Sequence, residues 1–379
     1  MTISIYIHFP FCVRKCGYCD FVSRPLRDRG EADRYIRFIG REIQLAGATP
    51  GIGGREVRTI FFGGGTPSLM TPGQINTILS TIRSYFSIAP GAEISIESNP
   101  GSVSDPDEWL AGARAAGINR LVIGMQSMNN ANLKFLGRIH NRDESVDFYR
   151  RARCAGFRSV GLDLIYGLPE QTVDEWKRDL EGALELKPDH VSIYCLEICP
   201  GTPLGRDLGD GVIHEAEGEI QAEMYHAACE MLEAAGLRRY EISNFSLPGH
   251  ECRHNLAYWT GDDYLGVGIS ASSHLGGWRW ENERAPDAYT GKVGSGTLPR
   301  LAGELLSSRR RLRELAVICL RTAAGFRLPD PRTVHERELT ADLSELVEEG
   351  FLELTGAGVF RLKPEYLFVS DAVFSRIVG

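Results

Sequence analysis

Nine cysteines are spread along this 379-residue chain, and three of them, Cys12, Cys16 and Cys19, crowd into one short loop. The number of ligands matters more than their C-x3-C-x2-C spacing. Three thiolates hold three irons of a cubane [4Fe–4S] cluster and leave the fourth iron without a protein ligand, whereas four thiolates would make an electron carrier. An iron left open is a place for a substrate to bind, as is the open position of any catalytic metal site. A zinc knuckle asks for four ligands in two paired sets, and no second C-x2-C is present. The other cysteines (Cys154, Cys195, Cys199, Cys229, Cys252 and Cys319) are scattered. With no export segment in view, they fit free thiols in a reducing cytoplasm better than a disulfide framework.

Further along, an apolar run ends in Gly63-Gly64-Gly65-Thr66-Pro67-Ser68. Three glycines let a backbone approach a ligand without Cβ clashes and leave N–H and C=O groups to bond it. Glu97 closes the next apolar run, Gln126 the one after, and Asp163 sits inside a third. An Asp within an apolar strand is costly unless paired. It is therefore a ligand contact or half of an ion pair, for which Arg138 is a candidate partner.

These residues need a scaffold that brings several strand ends together. Short β-branched runs over 4–9, 57–62, 93–98, 120–123, 160–165 and 190–194 alternate with helical segments over 31–46, 71–85, 106–116, 143–155 and 173–186. Alternation of this kind predicts parallel strands with right-handed crossovers. The reactive residues fall at the C-terminal ends of those strands, where barrel active sites gather. The expected fold is α/β, an incomplete (β/α)6 barrel, with a doubly wound sheet as the alternative. A helix over 214–235 follows, then a Gly- and aromatic-rich stretch over 248–280 that reads as irregular. From 308 to 379 the order helix, helix, hairpin, helix predicts a smaller α+β, winged-helix-like domain. The division expected is thus 1–235, a connecting segment 236–307, and 308–379.

The formal net charge is −8, which argues against a nucleic-acid partner. Hydrophobic and charged contents of 43% and 24% are those of an ordinary globular chain, and no apolar run approaches the ~20 residues of a membrane span.

The three-cysteine loop followed by a glycine segment resembles the radical S-adenosylmethionine (SAM) proteins. Ile5–Cys12, Gly63–Ser68, Gly124–Ser127, Leu136–His140 and Asp163–Pro169 together resemble their coproporphyrinogen-oxidase-like branch, and within it the HemW-type haem chaperones. The oxidases carry a further cysteine two residues after the third, where this chain has Asp20-Phe21, and the chain is expected to start almost directly on its first strand, without the N-terminal extension of those oxidases. His254-Asn255-Leu256-Ala257-Tyr258-Trp259 matches the H-N-x-x-Y-W motif of the haem chaperones. Imidazole is a natural axial ligand for haem iron, and Cys252 is a second candidate.

The resemblance implies that Cys12, Cys16 and Cys19 hold the cluster. It implies SAM contacts from Tyr6, Tyr18, Gly64, Gly65, Thr66, Glu97, Gln126, Arg138 and Asp163, more loosely from Glu197 and Ser272, and haem contacts from His254, Tyr258 and Trp259. It departs at Ser272, which stands where many of these chaperones have histidine. The implied partners are a haem-acceptor protein, of the respiratory chain or elsewhere, and a low-potential electron donor, with transient contact to membrane proteins. Two other readings stay open: an oxygen-independent coproporphyrinogen III oxidase, and a radical SAM methyltransferase or C–C bond former of specialised metabolism.

Overall fold

The first strand shows why these segments become a sheet. Along Thr2–Phe9, Ile3, Ile5, Ile7 and Phe9 are all buried against the helical layer, while Tyr6 and His8 alternate onto the opposite, inner face. The computed structural model describes residues 1–328 and 331–378.

Six parallel strands follow in chain order: Thr2–Phe9, Glu56–Gly64, Ser87–Ser98, Arg120–Gln126, Ser159–Tyr166 and His190–Cys195. Amphipathic helices join them and cover the outer face. Arg29–Ala48 buries Ile36, Ile39 and Ile43, and Asp28 caps it by accepting the Glu31 N–H at 2.8 Å. Thr71 and Gln74 form a capping box at Pro72–Tyr85, and Asp105 caps Pro106–Ala116. Gly117 closes that helix with φ +116°, a conformation that a side chain would resist.

A seventh parallel strand, Tyr264–Val267, pairs with the outer edge of Thr2–Phe9. It lies in the stretch expected to be irregular, which instead holds a helix, Arg253–Trp259, and the strands Tyr264–Val267, Ser272–Leu275 and Trp278–Glu281. Elements of four residues are too short to show a period. Gly266 also looks like loop punctuation, yet it is there because a Cβ would lie 2.3 Å from the Ser272 carbonyl oxygen. Antiparallel strands extend both ends of the sheet: Ser272–Leu275, Trp278–Glu281 and Glu304–Leu305 on one side, Asn244–Ser246 and Arg238–Glu241 on the other. Among the described residues no ladder joins the two ends, so the barrel is open. The helix expected over 214–235 spans Gly218–Ala234.

The C-terminal part has the expected winged-helix order. Helices Ser308–Leu320, Val334–Glu348 and Ser370–Val378 surround a three-stranded sheet of Phe326–Arg327, Val359–Leu362 and Leu352–Leu354. The arginine run at its start is largely neutralised, with Arg310 paired to Glu304 and Glu314 and Arg309 to Glu338. This part holds to the sheet through the Ala323 N–H, which donates to the Tyr240 carbonyl at 3.0 Å, and through Arg321, stacked 4.9 Å above Trp259.

Candidate functional site

The cysteine loop leaves the first strand at Pro10 and is closed at its base by backbone bonds from Arg24 to Pro10 and from Leu26 to Cys12, both 2.9 Å. Its middle is tied on two sides. The Gly17 N–H donates to Leu136 O at 3.1 Å, and Gly17 O accepts from the Leu204 N–H at 3.0 Å. Arg14 adds bonds to the carbonyls of Gly137 and Arg138 at 2.8 and 2.9 Å. Burial pushes the thiols of Cys12 and Cys19 up. Iron reverses this, since a metal-bound thiol is deprotonated outright. No three His, Cys, Asp or Glu among the described residues converge on a point suited to one lone ion. A cubane cluster asks for something different, one thiolate per iron.

Arg138 links the loop to the strand ends. Its guanidinium lies 3.3 Å from Cys16 Sγ and 3.5 Å from the Tyr18 hydroxyl, and it donates to Asn99 Oδ1 at 2.8 Å and Gly124 O at 2.9 Å. The ion pair suggested between Arg138 and Asp163 is therefore not formed. Asp163 has Ser192 beside it, and its Oδ1 is buried without any hydrogen-bond partner.

The glycine segment serves packing more than donor supply. Gly65 N–H bonds Phe9 O and Thr66 N–H bonds Phe11 O, each at 2.8 Å, and Gly64 N–H donates to Glu97 Oε2 at 3.2 Å. A Cβ on Gly65 would meet Phe11 O at 2.7 Å. The glycines thus let the segment lie directly against the cysteine loop, and their N–H groups are taken. Gln126 sits on a bulge at the end of its strand with φ +69°, a backbone conformation that non-glycine residues rarely hold outside functional sites.

Glu97 and Asp163 lie near one another on neighbouring parts of the sheet, close enough for the charge of Asp163 to act on Glu97. Burial, then the neighbouring Asp163, pushes Glu97 up to about 8, and burial pushes Asp163 up to about 6. Tyr194 keeps 42% of its surface accessible while burial raises its phenol well above the usual range, which marks a side chain lining an internal space. A raised carboxyl holds its proton in the folded chain at pH values where the unfolded chain, with Glu near 4.3, has lost it. The ligand-free fold should therefore lose stability as pH rises from about 4.3 towards about 8. The expected result is a urea midpoint that falls between pH 5.5 and 8 by less in Glu97→Gln than in the unaltered chain. Parallel declines would remove Glu97 as the source.

The H-N-x-x-Y-W segment forms the helix Arg253–Trp259, and its histidine lies inside the protein. His254 is 1% exposed, and both ring nitrogens are engaged, Nδ1 with Thr59 Oγ1 at 2.7 Å and Nε2 with the Tyr258 hydroxyl at 2.8 Å. Burial pushes it down to about 3, so it is neutral. Its ring stacks on Phe61 at 5.2 Å, and Tyr6 stands between this cluster and Glu97. Trp259 reaches the C-terminal domain through Arg321. Glu197 and Ser272 are both exposed, and Ser272 lies two strands beyond Thr2–Phe9.

Residues that sequence reasoning passed over complete the site. Asn99 accepts from Arg138 and also bonds His140 Nδ1 at 2.9 Å. Glu93 reaches from the third strand to the first turn of the helix Arg253–Trp259, accepting the N–H groups of Arg253 at 3.1 Å and His254 at 3.0 Å. Arg120, 2% exposed, lies beside it with Nη1 on Ser159 Oγ and His250 O. An Arg within the apolar run Leu121–Ile123 and its neighbours was the available signal.

An open parallel barrel whose first strand runs into a three-cysteine loop defines a radical SAM protein. The family model described as the Radical SAM superfamily matches residues 6–182. "Heme chaperone HemW" of Mycobacterium tuberculosis (strain ATCC 25618 / H37Rv) is 36% identical over 99% of this chain and 95% of its own length. The protein of that name from Bacillus subtilis (strain 168) is 30% identical over 99% of each. Among solved structures, coproporphyrinogen III oxidase (HemN) from Escherichia coli superposes with a TM-score of 0.85 at 24% identity, covering 100% of this chain and 90% of that one. The chain belongs to the HemW family of the radical SAM superfamily. Membership implies a [4Fe–4S] cluster and SAM, and the residues present fit both. Three thiols share one tied loop, and Asp163 keeps a buried carboxylate oxygen without a partner, suited to the ammonium or hydroxyl groups of a nucleoside. No helix among the described residues is long and apolar enough to cross a membrane.

Proposed function

We propose that this chain is a haem chaperone of the cytoplasm that carries a [4Fe–4S] cluster and SAM and delivers haem to an acceptor protein. Similarity to proteins named as haem chaperones, over nearly the whole chain, carries the reading. Cys12, Cys16 and Cys19 would hold the cluster. When bound and reduced, it supplies the electron that cleaves the sulfonium C–S bond of SAM.

The chain's own residues orient the ligand. Gly64 N–H fixes the Glu97 carboxylate, Arg138 fixes Cys16 and Tyr18, and Asp163 offers a free acceptor. Gln126 and Tyr6 complete the walls, with Gly65 and Thr66 holding the loop in place. The hydrophobic and aromatic surroundings keep water out of a site whose chemistry would otherwise be quenched.

The haem contact we assign to His254, Tyr258 and Trp259 requires movement. With both nitrogens of His254 bonded, iron ligation through Nε2 needs the Tyr258 hydrogen bond to open, while the Thr59 bond to Nδ1 can stay. Haem titration followed at the Soret band tests this. Tyr258→Phe frees Nε2 and should strengthen binding, while His254→Ala should weaken it severalfold. Tight stoichiometric binding with the same spectrum in His254→Ala would place the haem elsewhere, and no haem binding by the unaltered chain would end the chaperone reading.

A further inference from the structure

Along the third strand, Ser87–Ser98, the polar residues Glu93, Ser95 and Glu97 alternate with Ile94 and Ile96, which join the core under the helices. Ser95 pairs across to Arg120, and Arg120 to Ser159 on the next strand. Two residues further along, Gly161 pairs with His190. Four neighbouring strands thus bring Ser95, Arg120, Ser159 and His190 together, and all four are buried.

Their donors are not all used. Arg120 Nη1 bonds Ser159 Oγ at 3.1 Å and His250 O at 2.8 Å, while Nε and Nη2, the other edge of the guanidinium, are buried with no partner among the described residues. Ser95 Oγ and His190 Nδ1 are buried without one too. The tautomer of His190 follows from its neighbour. Tyr240 Oη accepts the Cys252 N–H at 3.4 Å, which leaves its own proton for His190 Nε2 at 2.8 Å. The ring hydrogen therefore sits on Nδ1. Burial, then the charge of Arg120, holds that ring neutral.

Folded chains give nearly every buried polar group a partner, so orphan donors gathered in this way mark a ligand seat. They suit an acceptor rich in lone pairs. A guanidinium edge takes the two oxygens of a carboxylate side by side, and each oxygen keeps a lone pair for a further donor. Glycine keeps the wall open beside His190, since a Cβ on Gly161 would lie 3.2 Å from Nδ1. The neighbouring acids do not fill the place. Glu93 spends its oxygens on the N–H groups of Arg253 and His254. Burial pushes Glu97 up to about 8, so it is mostly protonated at neutral pH, and Asp163 lies further along its strand, past Gly161.

We propose that the barrel interior holds a carboxylate group, gripped by Arg120 through Nε and Nη2 and steadied by Ser95 and His190. Its bearer is a short-chain acid or the propionate arm of haem, and in the second case the inference rests on the haem reading above.

The test is thermal unfolding of the full chain in sodium propionate, against sodium chloride at equal ionic strength. A ligand that binds only the folded state raises the midpoint, so propionate should raise it and chloride should not. Arg120→Lys keeps the charge but loses the fork, and should weaken propionate binding by about tenfold. Gly161→Ala, which narrows the gap beside His190, should do the same. Ser95→Ala removes a hydroxyl with no partner in the protein, so it should fold as the unaltered chain does and weaken binding by a smaller factor. It keeps the test decisive if the arginine variant folds poorly. Haem titration of the same variants separates the two sources. Lower haem affinity in all three, with no midpoint shift from propionate, assigns the carboxylate to haem. Haem affinity unchanged in every variant, together with chloride acting as strongly as propionate or equal propionate shifts in all four chains, would overturn the proposal. Absence of haem binding by the unaltered chain strikes the haem reading instead and leaves the propionate midpoints to decide.

Discussion

Replacing Cys16 with alanine is expected to leave the chain folded but unable to keep its cluster. Loss of groups one shell out from a metal costs about 10- to 100-fold in affinity, and loss of a ligand costs more. Anaerobic reconstitution followed by iron and sulfide analysis should therefore show occupancy lowered by at least an order of magnitude. Folding should survive because the loop is held by the Gly17 backbone bonds and by Arg14, none of which needs the thiol. Arg138→Ala, which removes the partner of Cys16 Sγ, should give a smaller loss in the same assay. Cys154→Ala, at an exposed cysteine far along the chain, should match the unaltered protein. Full iron content in the Cys16 variant would break the ligand assignment.

The second large effect is expected far from the cysteines. Glu93 is 8% exposed, and its two oxygens accept the first N–H groups of the helix Arg253–Trp259, with Cys252 Sγ 3.6 Å away. That helix has no side-chain cap of its own, so a carboxylate from a distant strand fills the role. Arg120 beside it supplies the compensating charge. Glu93→Ala leaves the N–H groups of Arg253 and His254 without their acceptor, at about 1–3 kcal/mol for each. Urea denaturation measures it, and hydrogen exchange over 252–260 should rise sharply. Glu93→Gln keeps one acceptor and should lose clearly less. A cost under about 1 kcal/mol for the alanine variant would mean that solvent already satisfies this helix end.

Much of this was readable from residues alone, for reasons that differ by region. The six strands and their helices declare themselves because the strands carry β-branched and apolar residues at alternate positions, as Ile3, Ile5, Ile7 and Phe9 do, and each helix has one apolar side. The cysteine loop is legible because ligand number is a chemical constraint that spacing cannot disguise. Asp163 stood out because its carboxylate interrupts an apolar strand. Which partner it has was not legible: the tie between Arg138 and Cys16 depends on how the loop after Gln126 folds back. The seventh parallel strand stayed hidden because four residues, one of them glycine, show no period. His254 was assigned to haem by resemblance alone, and its burial follows from Glu93 and Thr59, residues about 160 and 195 positions earlier, whose approach to it only the folded sheet reveals.

The Gly17 backbone bonds have a consequence for how the protein matures. A loop tied to Leu136 and Leu204 through main-chain atoms owes part of its shape to bonds in which no thiol takes part. The metal-free chain is thus a ready receptacle, and delivery of the inorganic core can follow synthesis at any later time. It also means that loss of that core under oxygen need not destroy the polypeptide, which stays competent for repair.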